Sequence, residues 1–171
     1  PLVLQGKQPP SQQETEQQAL LPDAQGPLPR FIVVAGPLAA HREEPIYYRA
    51  DHQWTSLGAL YAYKAFCAEA GRAAPSPDDY DREILSSDFY GTTWSRASLY
   101  SAPPDSIEAF QPIRRPALEV TFEGETSDSI YVPSFLEQKD QYSVFLGQNR
   151  PAVQIKTDAG NGRRLLLVKD S

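Results

Sequence analysis

One run of this sequence is built for a helix of several turns, and it constrains everything around it. The run "SLGALYAYKAFCAEAG", residues 56–71, sets Leu57, Leu60, Tyr61, Lys64 and Ala65 at helical spacing. Tyr63, Phe66 and Cys67 widen its apolar side. Thr55 or Ser56 is placed to cap the N-terminus and Gly71 to end the helix. Elsewhere the chain is cut by 16 prolines and 8 glycines. From Asp88 to Pro133 the runs "DFYGTTWS", "IEAFQPI", "LEVTFEG" and "DSIYVP" suit short strands and loops. "PSFLEQKDQYSVFLG" has room for one or two helical turns, and in "PSPDDYD" Ser76 or Asp78 is placed to cap a short one. "RFIVVAGPLAAH" predicts a strand over Phe31–Val34, closed by Gly36-Pro37. "AVQIKT", "GNGR" and "LLLVKD" predict two strands about a tight Asn-Gly turn. Phe31–Val34 and Leu165–Val168 are expected to be neighbouring core strands of one sheet, covered on both sides, with the 56–70 helix on a face.

Composition narrows the functional classes. With 171 residues, 40% of them hydrophobic, the chain suits one domain with a real core. A net charge of −6 argues against a sequence-independent nucleic-acid binder, which needs a basic face to replace phosphate counterions. The lone Cys67 provides neither a disulfide framework nor a zinc cluster. No stretch approaches the roughly 20 apolar residues of a membrane span. Residues 1–30 are rich in Gln and Pro and read as a flexible segment ahead of a domain over 31–171. The absence of any Met, and a terminal "KDS" turn where an α/β fold would continue into a helix, lead us to expect a fragment truncated after Ser171. Any membrane attachment would then come through a missing N-terminal signal or anchor.

Three places carry potential chemistry. Asp51 and His52 stand beside Trp54 just before the helix. A carboxylate that orients an imidazole is half of a nucleophilic triad, although Asp51 as a helix cap and His52 as a surface residue explain the same letters. Ser171 follows an apolar strand-like run, where several hydrolase folds expose a nucleophile; a helix N-cap is the plainer reading. In "FLGQNRP", Gly147 permits a left-handed conformation and Asn149 offers an amide donor for a developing oxyanion, or the run is an ordinary turn.

The segments "PIYYRADHQWTSLGALYAYKAF", "SSDFYGTTWS", "DSIEAF", "YSVFLGQN" and "LLLVKDS" occur in an order that resembles the DHHW proteins of Gram-positive bacteria. These are SGNH-hydrolase-like proteins related to the alginate O-acetyltransferases. The resemblance spans about residues 30–171 and implies an α/β class fold, a flavodoxin-like three-layer α/β/α sandwich, incomplete at its C-terminus. It implies Asp51, His52 and Ser171 as the catalytic set, with Gly147, Asn149 and the Ser171 N–H as oxyanion donors. Trp54 would pack the motif or stack on a sugar. The implied activity is acyl-ester hydrolysis or O-acetyl transfer on cell-envelope polysaccharide, in an extracytoplasmic setting, without metal or organic cofactor.

One position departs from the pattern. The related motifs carry histidine immediately before the tryptophan, and this chain has Gln53 there. An amide cannot take up and return a proton near neutral pH. Either His52 serves as base, or the chain is a non-catalytic carbohydrate-binding or envelope-assembly protein. In the second case Tyr47, Tyr48, Trp54, Tyr90 and Trp94 are the candidate stacking surfaces.

Overall fold

The computed structural model describes residues 32–98 and 101–167. Its order begins with a short helix α1 (Ala35–Ala40) and the main helix α2 (Ser56–Glu69). A hairpin-like pair follows, β1 (Tyr80–Phe89) and β2 (Asp105–Pro112), with a one-turn helix α3 (Thr92–Arg96) between its strands. Strands β3 (Leu118–Phe122) and β4 (Glu125–Ser127), two 3-10 turns at Pro133–Glu137 and Gln141–Val144, and strand β5 (Val153–Thr157) complete it. β1 and β2 form a two-stranded sheet, and β4-β3-β5 a separate three-stranded one. Every one of these pairings is antiparallel.

This overturns the expected three-layer α/β/α sandwich. Two small antiparallel sheets and three helices stand where a doubly covered parallel sheet was expected. Both anticipated core strands fail. Phe31 lies outside the described residues. Val34 is the N-cap of α1, with helical φ −91 and ψ −9, and Leu38 N–H donates to its carbonyl. Gly36-Pro37 therefore sits inside the first turn of a helix, where a proline lacks nothing because those N–H groups have no intrahelical partner. At the other end Leu165, Leu166 and Leu167 are 77%, 87% and 75% exposed and belong to no strand; Val168 lies outside the described residues. The glycines around Asn161 do turn the chain, at φ +62 and +63 for Gly160 and Gly162, but only the strand before them forms.

The main helix forms as its sequence dictates. Thr55 Oγ1 accepts the Gly58 N–H, and its hydroxyl donates to the Pro45 carbonyl. At the far end Gly71, at φ +62, donates to Ala68 while Arg72 N–H reaches Cys67, the paired bonds of a Schellman ending. Gly58 is required by contact rather than by φ: a Cβ there would lie 2.1 Å from the Ile46 carbonyl oxygen. The absent side chain lets α2 lie directly on the strand-like segment that leads into "RADHQW".

Two apolar clusters meet at that segment. Leu38, Ile46, Leu57 and Tyr61 form one, with Val34, Tyr47, Trp54 and Phe110 against it. Tyr48, Phe89, Ile107 and Val144 form the other, joined by Tyr131, Tyr142 and Phe145. β2 supplies its inner side by strict alternation, with Asp105, Ile107 and Ala109 all buried. The Tyr48 hydroxyl is buried with no partner among the described residues. Burial, followed by the neighbouring Tyr142 and Asp105, raises its pKa far above the ordinary value.

Two stability measurements test this packing. Gly58→Ala should lower the urea-unfolding free energy by about 2 kcal/mol or more, as overpacking against backbone does. Gly36→Ala, where nothing lies within 4 Å, should be neutral or raise it by about 0.5–1 kcal/mol. Removing the orphan hydroxyl by Tyr48→Phe should stabilise the fold by roughly 1 kcal/mol at neutral pH. A raised tyrosine pKa contributes stability that is present below the unfolded value, 10.0, and is lost above it. The advantage of Tyr48→Phe should therefore widen above that pH; a constant or shrinking advantage would refute the assignment.

Candidate functional site

The residues between Tyr47 and Trp54 form a tight loop. Tyr47 and Trp54 make an antiparallel bridge, and Tyr48 N–H donates to the Gln53 carbonyl at 3.3 Å. The outer half of the loop is held from β2. Asp105, the first residue of that strand, accepts the Arg49 N–H at 2.8 Å, the Ala50 N–H at 3.3 Å and Arg49 Nε–H at 2.8 Å. Arg49 Nη2 extends this clamp to the Pro104 carbonyl. A buried carboxylate thus orders two consecutive peptide groups.

Asp51 organises the inner half. Its side chain is only 3% exposed. Oδ2 accepts the Thr92 N–H at 2.6 Å and the Thr92 hydroxyl at 3.2 Å. Oδ1 accepts the Gln53 N–H at 3.1 Å and faces His52 Nδ1, also at 3.1 Å. Thr92 is the first residue of α3, so Asp51 caps a helix that lies 41 residues away in sequence rather than the α2 helix next to it. Gly91 makes the approach possible, because a Cβ there would fall 2.3 Å from Asp51 Oδ2 and 2.7 Å from the Ala50 carbonyl oxygen. Trp94 N–H closes the strap on that same carbonyl at 3.0 Å.

His52 completes the cluster from the outside, with its side chain 64% exposed. A carboxylate only accepts, so its position 3.1 Å from Nδ1 favours the neutral form that carries the proton there and leaves the lone pair on Nε2. Nε2 lies 3.2 Å from the Gln53 side-chain nitrogen, which donates to it. In that form the pair runs from carboxylate through Nδ1–H to an accepting Nε2. Its lone pair is covered by Gln53, the residue where the related motifs carry histidine.

The other expected residues are placed differently. Trp54 turns its ring edge-on to Tyr47, with centroids 6.4 Å apart. It also lines an apolar groove of about 350 Å³ with Tyr63, Tyr80, Phe110, Tyr131 and Phe145. Gly147 is buried at φ +76 and follows Leu146, itself at φ +62. This loop is held by Leu146 N–H on the Ile130 carbonyl and by Arg150, which pairs with Glu123 and lies over Phe122. Its described contacts are with those residues rather than with Asp51 or His52, and Asn149 is exposed. Ser171 lies outside the described residues. Of the anticipated stacking residues, Tyr48 is buried and Tyr90 packs on Trp94 at 4.6 Å. The aromatic surface comes instead mostly from residues that the sequence did not single out.

Thr92, Gly91 and Asp105 were also missed as site residues. A Gly-Thr pair before a short helical run signals an N-terminus, yet nothing local says which carboxylate will cap it. Among the described residues no group of three or more His, Cys, Asp or Glu is arranged to hold a metal ion. No helix among them is long and apolar enough to cross a membrane.

Comparison with known proteins agrees with the motif. A crystal structure of a DHHW family protein from Eubacterium siraeum DSM 15702 superposes with a TM-score of 0.63 at 29% identity. The match covers 77% of this chain and 46% of that one, so the chain spans about half the length of this relative. No curated protein matches. The sequence profile of the DHHW proteins matches residues 32–171, from just before α1 through the Asp51–His52 pair to the final serine. With the great majority of its length accounted for in this way, the chain belongs to the DHHW protein family.

Proposed function

We propose that this protein carries out acyl-ester chemistry, hydrolysing or transferring an O-acyl group on a cell-envelope polysaccharide outside the cytoplasm. The reading rests on the Asp51–His52 pair. A carboxylate removed from water, held by Thr92 and Gln53 and lying 3.1 Å from Nδ1, favours Nε2 as the accepting atom. Such an imidazole takes a proton from a hydroxyl during attack and returns it to the leaving alkoxide, while the carboxylate stabilises the imidazolium. Ser171 is the candidate nucleophile. Its Oγ would bond to the acyl carbon, the ester C–O bond would break, and the proton taken up by His52 would leave with the sugar hydroxyl. Water or an acceptor hydroxyl then reverses the sequence and frees the serine. Gly147, Asn149 and the Ser171 N–H remain the candidate oxyanion donors. For His52 to act, the Gln53 amide must move off Nε2 and yield its place to the attacking hydroxyl.

A second reading is favoured by a separate observation. The aromatic groove beside Trp54 has no charged lining residue, and flat apolar faces of this kind stack on neutral sugar rings. With Gln53 covering the imidazole, the chain would then bind polysaccharide without turning it over.

Substitution at the two motif positions separates these readings. On a small activated acetyl ester, His52→Ala should lower kcat by about 10²- to 10⁴-fold, the usual contribution of a general base. Gln53→His should change it modestly. The reverse pattern would move the base to position 53. Should the wild-type chain show no serine-dependent turnover, and Trp54→Ala abolish binding of a neutral oligosaccharide, the binding reading replaces the catalytic one.

A further inference from the structure

We propose that Thr92 is a positioning residue that fixes the tautomer of His52, so that Nε2 is the basic atom. The kinetic part of this inference rests on the acyl-ester reading; the tautomer part does not. Thr92 touches both members of the dyad. Its N–H and its hydroxyl both reach Asp51 Oδ2, at 2.6 and 3.2 Å, and its Oγ1 lies 3.5 Å from His52 Nδ1. A hydroxyl has a single hydrogen and two lone pairs. With the hydrogen spent on a carboxylate that can only accept, the lone pairs are left to face the imidazole. The Nδ1–H therefore has Thr92 Oγ1 as its hydrogen-bond acceptor, with Asp51 Oδ1 beside it at 3.1 Å as a charge contact.

The opposite tautomer is disfavoured twice over. A proton on Nε2 would point at the Gln53 amide nitrogen, 3.2 Å away, donor against donor. It would also leave a bare Nδ1 beside the carboxylate, unless the Thr92 hydroxyl gave up its bond to Oδ2 and donated to the ring instead. An unrestrained neutral histidine prefers to protonate Nε2, so the local groups must reverse an intrinsic bias. Asp51 supplies the charge for that reversal. Thr92 supplies the geometry, since it stops the carboxylate from rotating away and adds the acceptor. Gly91 sets the depth at which this happens, because any Cβ would displace Oδ2.

The proposal separates the two functions of one residue. The Thr92 N–H caps the carboxylate as part of the fold, whereas the hydroxyl acts on the imidazole. Thr92→Val keeps the first and removes the second with little change of shape; Thr92→Ser keeps both. The residue is solvent-exposed on its outer side, so neither change disturbs a core.

The experiment reads imidazole ¹⁵N shifts of the 171-residue chain, with His41→Gln used to assign the two histidines. Wild type and Thr92→Ser should show His52 protonated at Nδ1. Thr92→Val should move the shifts toward the Nε2–H form, with circular dichroism unchanged. On an activated acetyl ester, Thr92→Val should lower kcat about tenfold at constant KM, the size expected for one lost orienting hydrogen bond, and Thr92→Ser should restore it. Shifts in Thr92→Val identical to wild type would overturn the proposal, whatever the kinetics. If the shifts move in Thr92→Val while the wild-type chain shows no ester turnover, the positioning role stands and the acyl-ester reading alone falls.

Discussion

Removing a carboxylate from water costs several kcal/mol unless its lone pairs are filled, and the motif loop pays that cost twice. Asp105 and Asp51 are both buried. Between them they accept the backbone N–H groups of Arg49, Ala50, Gln53 and Thr92. The loop has no regular hydrogen-bond ladder of its own beyond the bridge at its base, so these anions are its framework. The start of β2, the start of α3 and the missing side chain at Gly91 are all set by where the two carboxylates must sit. Charge-assisted bonds of 2.6–2.8 Å are the strong, short kind.

Around this anionic framework the molecule separates its chemistry from its packing. His52 stands on the solvent side of the loop, while Trp54, three residues beyond Asp51, turns back onto α2 and the aromatic groove. Tyr142 links the regions: it lines the groove and packs on Tyr48, and its pKa is raised by burial first and by the Asp51 charge second. A ligand seated among these rings would lie near a fixed negative charge. The phenol groups there stay protonated and able to donate.

Some of this was legible from the sequence, and the boundary has a physical origin. Local signals were reliable. The α2 helix begins at Thr55 and ends at Gly71 because a cap and a left-handed glycine act within one turn. Ser76 likewise caps its turn, in a reciprocal box with Asp79. The Asp51–His52 pair could be picked out because carboxylate beside imidazole has a chemical meaning at any separation. Sheet architecture was not legible. An apolar run such as Phe31–Val34 or "LLLV" reports that a segment prefers to leave water, not which edge it pairs with. The antiparallel partners of β3 come from 125–127 and 153–157, a choice made by tertiary contacts. The Thr92 hold on Asp51 is of the same kind, since only the folded chain brings "YGTTWS" to "RADHQW".

The three bare leucines after Arg164 have a consequence for how the protein behaves in bulk solution. Leu165, Leu166 and Leu167 present nearly their whole side chains to water, which makes them a sticky surface for an identical segment on another molecule. Arg163 and Arg164 precede them and Lys169 follows, the arrangement by which natural sequences guard apolar runs. Like charges on two such segments repel, but over a distance that shrinks to about 10 Å at 0.1 M salt. Colloidal stability should consequently fall as salt is added, and fastest with sulfate, which also strengthens apolar association. For this chain, dilute buffer is the safer medium.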